Sequence, residues 1–258
     1  MPLNALLEGP PGTGKTSSVW CVARAMKLPV LEMNASNDRG TNAIRRKVRS
    51  FCEQVGRRLI ILDEADSMVP AAQKALVRLM DEFPDTCFAI VCNRLDKMVN
   101  DVQSRCLALS YERLEEKDIR ETLGVILEKE GVQWDKKGLD AVLFVSNGDM
   151  RTAITCCQAV WSGTGFINEA NVYAMMDQPN YGTVYGMLNE PEKAIQLSAC
   201  LYEKGYNAMD IVTVMYSIAS KTFKFKKYVE EIVHAHQRIN VSPTKLQMDA
   251  LIYKLVAV

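Results

Sequence analysis

The stretch "GPPGTGKT", Gly9 to Thr16, constrains this chain more than any other. It follows the short apolar run "NALLEG" and precedes a segment of 3.6-residue periodicity, Thr16–Met26. A G-x-x-x-x-G-K-[ST] pattern in that context predicts a strand, a tight loop and a helix that opens directly from the loop. Across Gly9, Pro10, Pro11, Gly12, Thr13, Gly14, Lys15 and Thr16 the backbone can turn sharply, and several N–H groups can surround phosphate oxygens. Lys15 adds a point charge at the β and γ phosphates of a nucleotide. Thr16 offers its hydroxyl to Mg²⁺, which prefers oxygen ligands and bridges those phosphates.

"LIILDEAD", Leu59 to Asp66, supplies a second half about fifty residues later. An apolar strand ending in Asp63 places a carboxylate at the C-terminal edge of a sheet, where α/β proteins bind ligands. Asp63 is the expected partner of Mg²⁺ beside Thr16. Glu64 is the expected general base for an attacking water. A third strand, "CFAIVCN", ends at Asn93. A neutral amide there suits holding the lytic water or touching the γ phosphate. It equally suits capping a turn, where Asn is common.

Residues 1–110 alternate such strands with helical periodicity over Thr16–Met26, Thr41–Val55 and Ala71–Glu82. The pattern predicts a parallel sheet covered on both faces, an α/β core. Continuous apolar runs such as "LIIL" fit strands buried on both sides. From about residue 111 the strand signal stops. Three amphipathic helices follow, with Gly131, Gly148 and Gly163 as punctuation. A second break falls near "MMDQPNYGT", and further helices are expected over about 191–204, 208–223, 226–239 and 243–256. The division expected is a core over 1–110, a small helical unit over 111–177 and an all-helical unit over 178–258.

The net charge is zero, 31 basic residues against 31 acidic. That total hides a focus: between Arg39 and Arg58 lie seven basic residues and one acidic, Glu53. Nucleic acid is therefore not excluded by neutrality. No run approaches the length of a membrane span, and the start shows no secretory pattern. No pair of the eight cysteines has C-x-x-C spacing, which argues against a zinc module and for reduced thiols in the cytosol or nucleus.

Six stretches together resemble the AAA+ ATPases, and more narrowly the small subunits of replication factor C, the sliding-clamp loader. They are "GPPGTGKTS", "NASNDRG" (34–40), "LDEADSM" (62–68), "CN" at Cys92–Asn93, "QSRC" (103–106) and "GDMR" (148–151). The resemblance runs along essentially the whole chain. "NASNDRG" and "GDMR…GFIN" look closest to the type numbered two. It implies an AAA+ core with a helical lid and an all-α collar, ATP and Mg²⁺ as ligands, and ATP hydrolysis within an assembled complex. It implies, as partners, the other replication factor C subunits in a heteropentamer, the sliding clamp PCNA and primer–template DNA, in the nucleus and away from membranes.

The resemblance also assigns single residues. Arg105, at the entrance to the apolar "CLALS", resembles an arginine finger that serves the ATP of the adjacent subunit. Such a group in trans contributes about 10³–10⁵ in rate. An ion pair within the chain, for example with Asp101, is the plainer reading of a charged residue there. Arg151 in "GDMR" resembles a sensor that touches the γ phosphate of its own chain's ATP, drawing lid and core together. A helix-surface arginine is the plainer reading.

"RGTNAIRRKVRSFCEQV" reads as an amphipathic helix with Ile44, Val48, Phe51, Cys52 and Val55 as its buried stripe. Arg45, Arg46 and Arg49 lie outside the stripe. Like charges one turn apart repel unless an anion sits between them, and a duplex backbone supplies one. In the family's next helix two adjacent arginines are usual. Here "ALVRLMDEF" keeps only Arg78, with Val77 in the other place. The resemblance alone implies clamp contacts on the side of Ala71–Glu82 and the loop Arg94–Asn100, and "RLDKMVNDV" there departs from the family's apolar, proline-containing stretch. His234 and His236 stand two apart, so they are not expected to share a metal ion.

The phosphate loop begins eight residues into the sequence, whereas relatives carry a further segment that packs on the adenine. Two expectations follow: the sequence is short at this end, or the subunit binds nucleotide weakly. A non-catalytic scaffold that only lends Arg105 to a neighbour is the alternative function. Other AAA+ machines fit less well. The "SRC" motif and the helical tail argue against a branch-migration helicase. The missing cysteine-rich insertion argues against the bacterial loader subunit.

Overall fold

The computed structural model describes residues 4–35 and 41–257, with the backbone alone for 41–45 and 257. Among the described residues five strands form one parallel sheet: β1 (Ala5–Glu8), β2 (Val30–Asn34), β3 (Arg58–Asp63), β4 (Thr86–Cys92) and β5 (Leu107–Ser110). Their order is β2-β3-β4-β1-β5. The register sets Met33 beside Leu62, Leu62 beside Ile90 and Ile90 beside Leu6. That row is buried on one face with Ile60 and Phe88, under α2 (Thr41–Cys52), α3 (Pro70–Glu82) and α4 (Asn100–Gln103). The alternate residues Leu7, Leu59, Ile61, Ala89 and Val91 pack on the other face against Val19 and Ala23 of α1 (Lys15–Ala25). Burial on both faces explains why β3 and β4 read as unbroken apolar runs.

β5 is equally apolar but every residue in it is exposed. It pairs with β1 alone and ends the sheet, so Leu107 and Leu109 keep 48% and 40% of their surface in solvent.

Among the described residues nine further α-helices follow the core strands and α1–α4: α5 (Glu116–Lys129), α6 (Lys136–Ser146), α7 (Met150–Thr164), α8 (Glu169–Met176), α9 (Tyr181–Asn189), α10 (Ala194–Glu203), α11 (Ala208–Lys221), α12 (Val229–Val241) and α13 (Lys245–Ala257). The chain divides into two compact units. One is Met1–Gly124 with Ser146–Ile154, and the other is Val125–Val145 with Thr155–Val258. The second has its own core, in which Met187, Ile211, Met215, Ile232, Met248 and Leu251 have no exposed surface. Rings run along it from Phe144 through Tyr181 and Tyr185 to Phe225 and Tyr228, with centroids 5.0 to 6.4 Å apart.

Several expectations are corrected. The α2 stripe stops at Cys52: Val55 is 97% exposed, because the helix ends before Gly56, whose φ of 103° no L side chain favours. Ile44 belongs to the residues described by backbone alone. Gly163 lies inside α7, and Gly165, at φ 71°, ends that helix instead. The break expected near "MMDQPNYGT" falls at residues 177–180, with α8 ending before it and α9 opening after it; these two helices themselves were not expected. Asn168 and Asn180 cap α8 and α9 by accepting bonds from the Asn171 and Thr183 backbone N–H groups.

No helix of the described residues is long and apolar enough to cross a membrane. Cys21 and Cys200 are exposed, and burial pushes the thiols of Cys92 and Cys156 up to about 11 and about 12. The buried thiols therefore stay protonated and act as small apolar groups.

Candidate active site

The parallel sheet brings the ends of β1, β4 and β3 to one edge in adjacent positions. The glycine loop leaves β1, Asp63 ends β3 and Asn93 follows β4. Gly14 sits in the left-handed region, at φ 91° and ψ 9°, and caps α1, so Lys15 and Thr16 form the first turn of that helix. Helix N-termini present unpaired N–H groups and a positive dipole end, which favour phosphate.

Lys15 is buried. Its Nζ donates to the carbonyls of Gly9 and Pro10, at 2.7 Å each, and to Asn93 Oδ1 at 3.1 Å. The ammonium thus ties the loop to the end of β4 and fixes Asn93 against the phosphate loop. Burial is the largest influence on Lys15 and lowers its pKa; Asp63 and Cys92 oppose that, while the positive charge of Arg151 adds to it. A polyanion arriving here would favour the charged lysine.

Thr16 Oγ1 donates to Asp63 Oδ2 at 2.9 Å, and the Glu64 backbone N–H donates to Asp63 Oδ1 at 2.8 Å. Both oxygens of Asp63 are therefore oriented. Hydroxyl and carboxylate are hard oxygen donors of the kind Mg²⁺ takes. Among the described residues no group of three or more His, Cys, Asp or Glu could hold a metal ion. A cation at Thr16 and Asp63 would draw its other ligands from phosphate and water, which is the habit of Mg²⁺. Glu64 is exposed and holds a left-handed backbone, at φ 53° and ψ 37°. A non-glycine residue in that region costs about 1–2 kcal/mol, and such strain gathers at functional sites.

Gly12 shows why the loop needs a glycine there. Its φ is 68°, and a Cβ on it would collide with the carboxylate of Asp149. Gly12 also accepts a bond from the Met150 backbone N–H at 3.0 Å. Asp149 in turn caps α7 by accepting from the Thr152 N–H at 3.0 Å. The phosphate loop is therefore tied to the turn that carries Arg151, which is exposed.

The AAA family model, described as ATPase family associated with various cellular activities, matches residues 5–113. Replication factor C subunit 4 of Oryza sativa subsp. japonica is 36% identical over 99% of this chain and 83% of its own length. Replication factor C subunit 2 of Arabidopsis thaliana is 36% identical over 98% and 82%. Subunit 4 of Saccharomyces cerevisiae is 36% identical over 97% and 84%. The chain belongs to the replication factor C small subunits. It is an ATPase of the AAA P-loop type. Among solved structures, the Thermotoga maritima RuvB Holliday junction branch migration motor superposes with a TM-score of 0.58 at 16% identity, over 77% of this chain and 74% of that one. That likeness concerns the fold alone.

In this replication factor C subunit Arg105 stands away from the three strand ends. It follows α4 and precedes β5, and its side chain is 38% exposed. Its carboxylate partner is Asp81 on α3, not Asp101: Nε donates to Oδ1 at 2.9 Å and Nη2 to Oδ2 at 3.0 Å. Asp101 contributes only its backbone carbonyl, 3.2 Å from Nη1.

On α2, Arg46 is exposed. Arg49 is engaged within the chain by Glu82, with Glu53 at 3.8 Å and the Phe83 ring beneath the guanidinium. Arg45 has no described side chain, and residues 36–40 of "NASNDRG" lie outside the described residues. Arg78 is exposed on α3, whereas Val77 is buried against the sheet. In the loop after β4, Arg94 pairs with Asp96 at 2.7 Å.

Sequence reasoning missed three residues that shape these sites. Asp149 carried a signal, since an Asp ahead of a helical run is an N-cap. Asp81 and Tyr111, whose hydroxyl lies 2.7 Å from Ser18 Oγ, carried none.

Proposed function

We propose that this subunit is an ATP-driven part of the clamp loader. It binds ATP, helps open PCNA and place it at primer–template junctions in the nucleus, and hydrolyses ATP to release it. The working arrangement is a heteropentamer of replication factor C subunits. Residues 1–110 serve as the nucleotide-binding core, 111–177 as a lid and 178–258 as the collar that closes the ring.

The observation that carries the reading is the convergence at one sheet edge of Lys15, bonded to Asn93, and Thr16, bonded to Asp63. A triphosphate lying along the loop would meet the backbone N–H groups of the loop, the Lys15 ammonium and the start of α1. Thr16 and Asp63 would hold Mg²⁺, which when bound supplies charge neutralisation of the phosphates. Glu64 takes a proton from the attacking water, and Asn93 orients that water or the γ phosphate. Arg151 senses the γ phosphate from the first turn of α7. Arg105 completes the site of the neighbouring subunit, where the equatorial oxygens gain charge in the transition state. Arg45, Arg46, Arg49 and Arg78 form the face for template–primer phosphates, which positions DNA without reading its sequence.

The test is reconstitution with the partner subunits and measurement of ATP turnover with and without DNA and clamp. The reading expects stimulation by both, lost in Glu64→Gln. Equal turnover by the isolated chain and the assembly, indifferent to DNA and clamp, would overturn it.

A further inference from the structure

We propose that Asp81 is a positioning residue for Arg105: it sets the guanidinium in one orientation while leaving the edge that grips phosphate available. The inference rests on the reading of Arg105 as a finger in trans and adds a residue to it.

A guanidinium carries five N–H donors in a planar fork. Asp81 takes the side-on edge, Nε and Nη2, through two parallel bonds of 2.9 and 3.0 Å. Such a bidentate pair fixes the plane of the fork and not only its distance. The Asp101 carbonyl takes one hydrogen of Nη1 at 3.2 Å. One hydrogen then remains on Nη1 and one on Nη2. The Nη2 hydrogen lies on the end-on edge, where a phosphate oxygen can accept it. Asp81 and a phosphate therefore engage different edges of the same group and need not compete.

The pairing is also specific to Asp81. The next residue, Glu82, is committed to Arg49. Asp81 stands in the last turn of α3, a helix whose inner face is buried against the sheet through Leu76, Leu79 and Met80. The carboxylate is thus mounted on a rigid element. An arginine left to itself samples many rotamers, and ordering it beforehand removes that cost from the moment of reaction. The opposite reading, a latch that withholds Arg105, predicts the opposite sign: loss of Asp81 would speed the complex.

The experiment is steady-state ATP turnover of the assembled complex, arranged so that only the site facing Arg105 is active. Arg105→Ala is expected to reduce kcat by about 10³-fold or more. Asp81→Asn is expected to reduce kcat by about tenfold with KM for ATP unchanged, as for a misplaced catalytic group. Asp81→Glu should recover part of the loss, and Asp81→Asn should add nothing once Arg105 is Ala. If Arg105→Ala slows the complex but Asp81→Asn leaves kcat unchanged or raises it, Asp81 does not position the finger. A further loss from Asp81→Asn in the Arg105→Ala background would make Asp81 merely structural, and this too overturns the proposal. If Arg105→Ala itself has no effect, the finger reading fails and takes this inference with it.

Discussion

Thr16 and Asp63 face each other across 2.9 Å, joining the first turn of α1 to the last residue of β3. The other oxygen of Asp63 is held by the Glu64 backbone. Under the proposed function Asp63, held at both oxygens, serves Mg²⁺, and the adjacent Glu64 carboxylate acts on water. The two neighbours should therefore fail differently. Asp63→Ala is expected to abolish the advantage of Mg²⁺ in ATP binding, seen by titrating nucleotide with and without the cation. Glu64→Gln is expected to bind ATP as the parent does but to lose about 10²–10⁴-fold in turnover. Undiminished hydrolysis by Glu64→Gln would remove Glu64 from the role of base.

The contact between Gly12 and Asp149 makes a second prediction. Gly12→Ala carries two separate penalties, a left-handed backbone and a collision with the Asp149 carboxylate. The first costs about 1–2 kcal/mol. The second vanishes if Asp149 is shortened. Gly12→Ala should lower both Tm and ATP affinity, and Asp149→Gly in that background should restore part of each. Additive losses in the double variant would mean that the two residues do not meet.

A third prediction separates a buried apolar residue of α3 from an exposed one on the edge strand of the sheet. Leu76 has no exposed surface, whereas Leu109 on the edge strand keeps 40%. Leu76→Ala is expected to cost about 2–5 kcal/mol of unfolding free energy in urea. Leu109→Ala should stay within about 1 kcal/mol. Equal losses would mean that β5 is covered in solution.

The core of the site was legible because its parts are local. "NALLEGPPGTGKT" and "LIILDEAD" each hold a strand, a turn and a residue proposed for the chemistry within a few positions. The parallel order of the strands then places those ends together without further information. What stayed hidden depends on distant pairing. Nothing near "SRC" announces Asp81, 24 positions upstream, as the partner of Arg105. The exposure of β5 was hidden too, since an apolar run does not say whether a strand lies inside a sheet or at its edge. Helices α8 and α9 went unread on either side of a break that the structure does hold at residues 177–180; each is short, and asparagine, which also marks loops, caps both of them.

The ion pair of Arg49 with Glu82 bears on the proposed DNA face. A phosphate approaching Arg49 must displace a carboxylate already in place, whereas Arg46 is exposed on the same helix. The two arginines should therefore contribute unequally. Neutralising one phosphate contact changes the slope of log K against log salt by about 0.9. Arg46→Ala is expected to reduce the slope by about that amount in the assembled complex, and Arg49→Ala by less. Glu82→Gln removes the competing charge while keeping the side-chain shape, so it should tighten DNA binding at low salt. It should do so only when Arg49 is present. Tightening that persists in Arg49→Ala would mean that Glu82 acts on DNA by general repulsion, not through its hold on this guanidinium.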